Sequence, residues 1–373
     1  MNFSENVILL DADHRHSLAI IRSLGQKGIH VYACTENNFS PARFSKYCSG
    51  VIKFNYKEGV DRFVNLLREK KIKIIIAAAL KGNEFICKNA DILKKEFKAP
   101  FNSQSDFEIV SNKFKTFQSL QNLGIKFPKT IEIKDPANID LRNLQYPAVF
   151  KSVVDQGTVK YANSEFELKN MIFTFFNENV QLVSSGKYPI IQEYIDGKAF
   201  GFFSLCFNNK LIAYFMHERI HEVPPSGGPS AMAKGIFDQR LFEIGKNIVK
   251  NIYWDGVFMA EFKKSRLDGE YYLIEINPKF WGSLDLAIHS GVDFPFLLYK
   301  YLTDTAIDLN NNNYKVGLIF RWLTMDLAYS IKAKKGLEFI NNFFNKNIKS
   351  DFLLNDFLPN IVLFIQGLKK ILK

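Results

Sequence analysis

The sequence predicts an α/β protein built from two or three packed units around one cleft. Three observations carry this. The first seventy residues or so alternate strand, helix, glycine and strand, the pattern of a βαβ unit and hence of a parallel sheet. Two later stretches, 200–217 and 256–281, read as antiparallel hairpins. The chain has 373 residues and is 47% hydrophobic with 36 Phe, enough to bury a large core.

In chain order, Val7–Leu10 is a short apolar strand ending in Asp11-Ala12-Asp13. Asp13 is placed to cap a helix over 14–26, whose Leu18, Ile21 and Leu24 share one face. Gly28 ends that helix and 29–33 is the next strand. A helix over 61–70, a fully apolar strand over 73–79 and a helix over 82–97 follow. No G-x-G-x-x-G follows Leu10, so a dinucleotide fingerprint is absent. His14, Arg15 and His16 sit past a strand's carboxyl end, where open α/β sheets bind ligands. They read more simply as solvated first-turn residues.

A short helix over 111–122 contains Lys113, and strands are expected over 129–133 and 147–153. Lys151 lies in the apolar run AVFKSVV. A lysine there either has a phosphate partner or snorkels from a sheet edge. Ser164-Glu165-Phe166-Glu167 is a capping-box signature for a helix to about Asn177. YPIIQEYI, 188–195, is a strand that breaks at Asp196-Gly197. Asn208-Asn209 closes the hairpin that follows. Residues 219–230, with Arg219, Pro224, Pro225, Gly227 and Gly228, read as a defined loop whose glycines let a ligand approach the backbone. His217 and His221 read as packing or surface residues rather than metal ligands, since no third nitrogen ligand is spaced with them. An amphipathic helix over 238–251 leads to the second hairpin.

That hairpin turns at Leu267-Asp268-Gly269. Folded about Asp268, it sets Glu261 opposite Glu275, with Asn277 on the same face by the period of two. Paired like charges call for a cation, and an all-oxygen donor set favours Mg²⁺ with substrate phosphates over zinc. The alternative is that both carboxylates point to solvent beside Lys263 or Lys264. Short helical segments over 282–302 back this hairpin. From residue 305 the chain holds ten Lys/Arg and five Asp/Glu, 10 − 5 = +5. Its apolar stretches, 339–344 and 352–372, have basic flanks. They suit a helical appendage packed on the body or on a second subunit of a homodimer, or an interfacial membrane helix. Asn310–Asn313 is a polar tract marking its boundary.

The net charge of +11 comes from lysines spread along the chain, and no nucleic-acid motif accompanies it. Cys34, Cys48, Cys87 and Cys206 fit neither a zinc nor a CxxC spacing. Free thiols in a reducing cytoplasm are expected. Neither a secretory leader nor a spanning helix is read.

An upstream Glu followed by E-x-N-P-(basic), here Glu261 and Glu275-Ile276-Asn277-Pro278-Lys279, resembles the metal-binding end of the ATP-grasp superfamily. Over roughly 5–302 the chain looks like the short proteins similar to one ATP-grasp half of the carbamoyl-phosphate synthase large chain. The resemblance implies an α/β ATP-grasp fold: a preATP-grasp domain over 1–105, a small lobe over 106–195, a large lobe with the metal site over 196–304, and a C-terminal helical extension over 305–373. It implies ATP with Mg²⁺ or Mn²⁺. The metal falls to Glu261, Glu275 and Asn277. Lys113 and Lys151 fall on the phosphate or adenine side, and Glu193, Tyr194 and Ile195 on the adenine side. Gly157 alone stands where relatives carry a glycine-rich phosphate loop. Arg219 and Lys279, where relatives usually have Arg, would neutralise the transferred phosphoryl group. The implied activity is a cytoplasmic carboxylate–amine (or thiol) ligase acting through an acyl phosphate on small-molecule substrates, with no specific nucleic-acid partner. An ATP-grasp phosphotransferase and a non-catalytic nucleotide binder share the same motif.

Overall fold

The computed structural model describes residues 5–152, 159–307 and 313–371. The chain forms two compact units. One comprises Met1–Phe107, Gly201–Met259 and Asn277–Lys373; the other comprises Glu108–Phe200 and Ala260–Ile276.

The larger unit opens with the expected parallel sheet. Its order is Gly50–Ile52, Val31–Cys34, Asn6–Leu10, Ile72–Ala77. The helix Arg15–Gly25 follows the first strand, but Asp13 does not cap it. Thr35 Oγ1 donates to Asp13 Oδ1 at 2.6 Å, and His14 takes the N-cap position without a side-chain bond. A hydroxyl just past the neighbouring strand outcompetes the helix end. Asp11 adopts a positive φ of 56°, and its carboxylate accepts from Tyr56 Oη and the Gly82 amide, both at 2.7 Å. A Cβ at Gly82 would lie 2.8 Å from that carboxylate and 2.9 Å from Leu10 and Ala77, so this position needs glycine. The helix expected over 82–97 is two, Leu80–Lys88 and Ala90–Leu93. Asn89 interrupts it, its side-chain amide donating to the Phe85 carbonyl at 2.8 Å.

A seven-stranded sheet has the order Tyr271–Asn277, Gly256–Ser265, Gly197–Phe207, Lys210–Glu222, Ser230–Gly235, Ile319–Arg321, Ile348–Ser350. Its first three strands in that order pass from one unit into the other along the chain. Asn208 and Asn209 form the predicted turn, both at positive φ as a two-residue hairpin needs. The strand after it runs on to Glu222. Arg219 and His221 are therefore strand residues, and the loop is only 223–229. The stretch expected to be purely helical adds two strands. Ile319–Arg321 pairs antiparallel with Ser230–Gly235, and Ile348–Ser350 pairs parallel with Ile319–Arg321. Strands of three residues are too short to show a period.

The core of this unit gathers Phe203, Phe215, Trp281, Phe294, Phe320 and Trp322, with Phe203 and Trp281 ring centroids 4.4 Å apart. Helix Leu358–Ile371 is tied to it through a buried ion pair. Arg22 Nε donates to Asp356 Oδ2 at 2.8 Å, and Ser45 Oγ and the Lys46 amide complete that carboxylate's shell. Nη1 and Nη2 of Arg22 take the carbonyls of Asp351 and Asp356.

The smaller unit holds an antiparallel sheet ordered Thr130–Glu132, Pro189–Glu193, Ala148–Ser152, Lys160–Ala162. Helix Glu165–Glu178, capped by Ser164 on the Glu167 amide, packs against it through Leu168 and Ile172. Gly157 and most of its loop, and the Asn310–Asn312 part of the polar tract, lie outside the described residues.

Removing one partner of a buried, multiply bonded ion pair leaves an uncompensated charge. Asp356→Ala should therefore cost about 3–5 kcal/mol of stability, read from denaturant unfolding. A loss below about 1 kcal/mol would show that Arg22 finds water.

Candidate functional site

In the smaller unit the predicted charged residues do come together. Lys113 is the first residue of helix Lys113–Leu120, held in place because Asn112 caps the amides of Phe114 and Lys115. Its Nζ lies 3.1 Å from Glu275 Oε2. Lys151 sits in the strand Ala148–Ser152, paired with Ile190 on the neighbouring strand, and is only 9% exposed. It is not an edge residue snorkelling to water. Burial pulls its pKa down to about 8; Glu275 and Glu261 pull it back up, and Lys113 and Lys263 push it further down. Glu261 and Glu275 are both half-buried, on strands that neighbour each other in the sheet.

Lys263 was read from sequence only as a solvent-side neighbour. Its Nζ donates to the Ile195 carbonyl at 3.1 Å and lies 5.0 Å from the Tyr194 ring centroid. The signal was available: Lys263 is two residues from Glu261 on one strand, so the two share a face. Glu193 turns back on its own sheet, its carboxylate accepting from the Lys129 amide at 3.3 Å, and Tyr194 meets Tyr161 edge to face. Near the hairpin turn, the Ser265 amide donates to the Glu270 carbonyl, one residue off a symmetric fold about Asp268.

Three lysines and two carboxylates thus share one neighbourhood. A polyphosphate with a divalent cation would neutralise both signs at once. Among the described residues no three His, Cys, Asp or Glu side chains gather. Glu261 and Glu275 are the carboxylates of this unit's cluster that could hold a cation, which as Mg²⁺ commonly does would take its other ligands from water or phosphate oxygens.

In the larger unit, Asn277 is buried at the end of its strand. Its carbonyl accepts from the Lys279 amide at 2.8 Å, and the Pro278 carbonyl accepts from Asn83 Nδ2 at 2.8 Å. Lys279, with His14 and Arg15, holds His16 well below the usual histidine range, after burial as the larger cause. His16 Nε2 donates to the Ala78 carbonyl. Arg15 and His16 are therefore not solvated first-turn residues, although His14 is exposed. Arg15 Nη2 donates to the Ser230 carbonyl at 2.9 Å, and its guanidinium lies 4.8 Å from the Trp322 ring centroid. Burial lowers its pKa to about 10, against the pull of Asp351 and Asp285 and with the push of Arg219. Arg219 Nη1 donates to Glu222 Oε1 at 3.1 Å and to the Gly228 carbonyl at 3.0 Å. The two arginines pin both ends of the short 228–230 segment. A Cβ at Gly228 would lie 2.2 Å from the Val223 carbonyl oxygen, so the close approach here is to the loop's own backbone. His217 and His221 are buried packing residues as expected; His217 Nε2 meets Ser283 Oγ at 2.9 Å. Sequence reasoning missed Asp285 and Asp351. Asp351 is pushed by burial to about 6, while Asp285 accepts from Trp322 Nε1 at 3.0 Å. Both come from segments distant in sequence with no motif of their own.

These sheets, with Glu261 and Glu275-x-Asn277 on neighbouring strands, are the frame against which known proteins are compared. Residues 209–325 match the family model described as ATP-grasp in the biosynthetic pathway with Ter operon. Over 94 residues the chain is 36% identical to the coenzyme gamma-F420-2:alpha-L-glutamate ligase of Methanococcus maripaludis, covering 24% of this chain and 30% of that protein. Over 182 residues it is 26% identical to an uncharacterised protein of Methanocaldococcus jannaschii, covering 47% and 42%. The chain thus spans less than half the length of each of these two relatives. Among solved structures it is similar to N5-carboxyaminoimidazole synthetase from Staphylococcus aureus complexed with ADP, at TM-score 0.65 and 17% identity over 85% of this chain and 81% of that one. It is similar to the L-amino acid ligase from Bacillus licheniformis at TM-score 0.62 and 17% identity, over 81% and 75%. The biotin carboxylase of Campylobacter jejuni gives TM-score 0.68 at 15% identity, over 85% and 74%. At these identities the likeness speaks for the fold.

Folding favours neutral Lys151, because its pKa falls from 10.5 in the unfolded chain to about 8. Wild-type stability is thus lost as pH drops through that window. Relative to Lys151→Met, the deficit should grow to on the order of 3 kcal/mol at neutral pH. Urea unfolding of both proteins across the window reads it; a pH-independent gap would mean that the ammonium is hydrated.

Proposed function

We propose that the protein is an ATP- and Mg²⁺-dependent ligase that joins a small-molecule carboxylate to an amine or thiol. One observation carries the reading: Lys151 is buried beside Lys113, Lys263, Glu261 and Glu275, which brings together the positions where the ATP-grasp resemblance expects nucleotide phosphates and metal. A buried lysine that costs stability is retained for what it binds. The ligase names among the sequence and structural relatives support the same reaction class.

In this reading Lys113 and Lys151 take the nucleotide phosphates, and the backbone of Glu193, Tyr194 and Ile195 takes the adenine. Glu261, Glu275 and Asn277 would hold Mg²⁺, with Mn²⁺ as a substitute, and the ion supplies charge neutralisation at the phosphates. The substrate carboxylate attacks the γ-phosphorus. A carboxylate O–P bond forms as the bridging bond to ADP breaks, giving an acyl phosphate. The amine then attacks the acyl carbon, phosphate leaves and the amine proton passes to solvent. A phosphoryl group in transfer needs surrounding positive charge rather than a protein nucleophile, and Lys279 and Arg219 are assigned that role. Lys279 cannot form the two-pronged bond of an arginine, so its share is that of a point charge. The glycine-poor stretch at Gly157 leaves phosphate binding to the lysines. Four cysteines that are all free thiols fit a reducing cytoplasm.

Calorimetry with ATP, with and without Mg²⁺, tests the nucleotide site. Wild type should bind in a Mg²⁺-dependent manner, and Glu275→Ala should weaken binding at least tenfold, about 1.4 kcal/mol. Absence of binding at millimolar ATP would sink the reading. A screen of carboxylate and amine pairs then reads ADP release. Release that requires the amine identifies a ligase, and release with the carboxylate alone a phosphotransferase.

A further inference from the structure

The C-terminal segment carries a surface that the proposed chemistry does not use. Helix Leu358–Ile371 buries Asp356, Asn360 and Val362 at and beyond its start, and Asn360 Oδ1 accepts from Arg22 Nη2 at 3.1 Å. Its inner face is therefore already docked. The outer face is a stripe of Phe357, Leu358, Ile361, Phe364 and Ile365, each between 43% and 48% exposed. These residues fall three and four apart, so they line one side of the helix. Helix Gly336–Phe344 repeats the pattern with Leu337, Ile340 and Phe344, the last 75% exposed.

The charges around this surface are of one sign. Residues 331–373 contain eight lysines and three acids. Two of the acids are engaged on the body side: Asp356 is paired with Arg22 and Asp351 is bonded to the Leu323 amide. Glu338, its side chain 38% exposed, is already shared by Lys335 and His221. Lys332, Lys334, Lys346 and Lys349 are exposed. What faces outward is apolar and predominantly cationic. A second copy of this chain would bring the same lysines against its own, whereas a negatively charged lipid surface complements both features. Among the described residues no helix is long and apolar enough to cross a membrane, so the contact would lie in the interfacial plane.

We propose that helices Gly336–Phe344 and Leu358–Ile371 form a docking surface for an anionic phospholipid bilayer. The stripe inserts at the boundary between headgroups and acyl chains, and the lysines meet lipid phosphates and carboxylates. The full chain is tested by co-sedimentation with vesicles of phosphatidylcholine alone and with about a third phosphatidylserine. Binding should be at least tenfold stronger to the anionic vesicles and should fall at high salt. Phe344→Ser with Phe364→Ser keeps every charge, so it separates this surface from general attraction by a +11 protein. It should lower binding at least tenfold with an unchanged melting temperature. Lys346→Glu with Lys349→Glu should weaken anionic binding by more than tenfold, since each lysine near such a surface contributes about fivefold. The proposal is overturned if wild type ignores both vesicle types, if the double serine variant binds as wild type does, or if light scattering finds a dimer that those serines dissociate while lipid binding is absent. ATP binding should be unaffected by either pair, so failure here leaves the ligase reading standing.

Discussion

A lysine ammonium held out of water is the constraint on which the smaller unit depends. Lys151 lies on an interior strand with Phe150 of the core beside it in sequence, and two carboxylates do not offset the combined charge of Lys151, Lys113 and Lys263. Each neighbouring feature limits that cost. Asn112 fixes the helix start that aims Lys113 at Glu275, and the Ile195 carbonyl takes one bond from Lys263. The proposed polyphosphate ligand would add negative charge beside these lysines.

The larger unit handles buried charge differently. Arg15 and Arg219 are directed at backbone carbonyls, of Ser230 and Gly228, as well as at carboxylates. Arginine suits this because its charge is fixed and its donors spread over a planar fork. The result is a loop over 223–229 held at its return end by two cations from separate strand and helix positions. Asp351 is the counterpart: burial pushes its carboxyl to about 6, and the Leu323 amide first, then Arg15 and Arg22, favour its charged form.

How much was legible in the sequence follows from the range of each interaction. The βαβ start, the Asn208-Asn209 turn, the Ser164 cap and the helix after Asp238 all depend on neighbours within a few residues, and they stood where expected. Lys113 and Lys151 have no local sequence signature, and their proposed role comes from the family resemblance. The misreadings share one cause. Asp13 as a cap, Arg15 as solvated and Arg219 as a loop residue were each decided by a partner far along the chain: Thr35, Ser230 and the strand Ser230–Gly235. The three-residue strands Ile319–Arg321 and Ile348–Ser350 exist because a sheet edge was available for them, which no window of their own sequence reveals.

The net charge illustrates the same point. Read as a sum, +11 with scattered lysines suggests only composition. Placed in the fold, it divides into two patterns. In the smaller unit Lys113 and Lys151 lie beside Glu275. In the C-terminal segment Asp356 and Asp351 turn inward, to Arg22 and the Leu323 amide, and lysines remain outside beside exposed phenylalanines. Solubility alone would be served as well by exposed acids, which help it more than lysines do. The surplus of exposed lysine over exposed acid in that segment is therefore not explained by solubility, and it fits the proposed negatively charged surface.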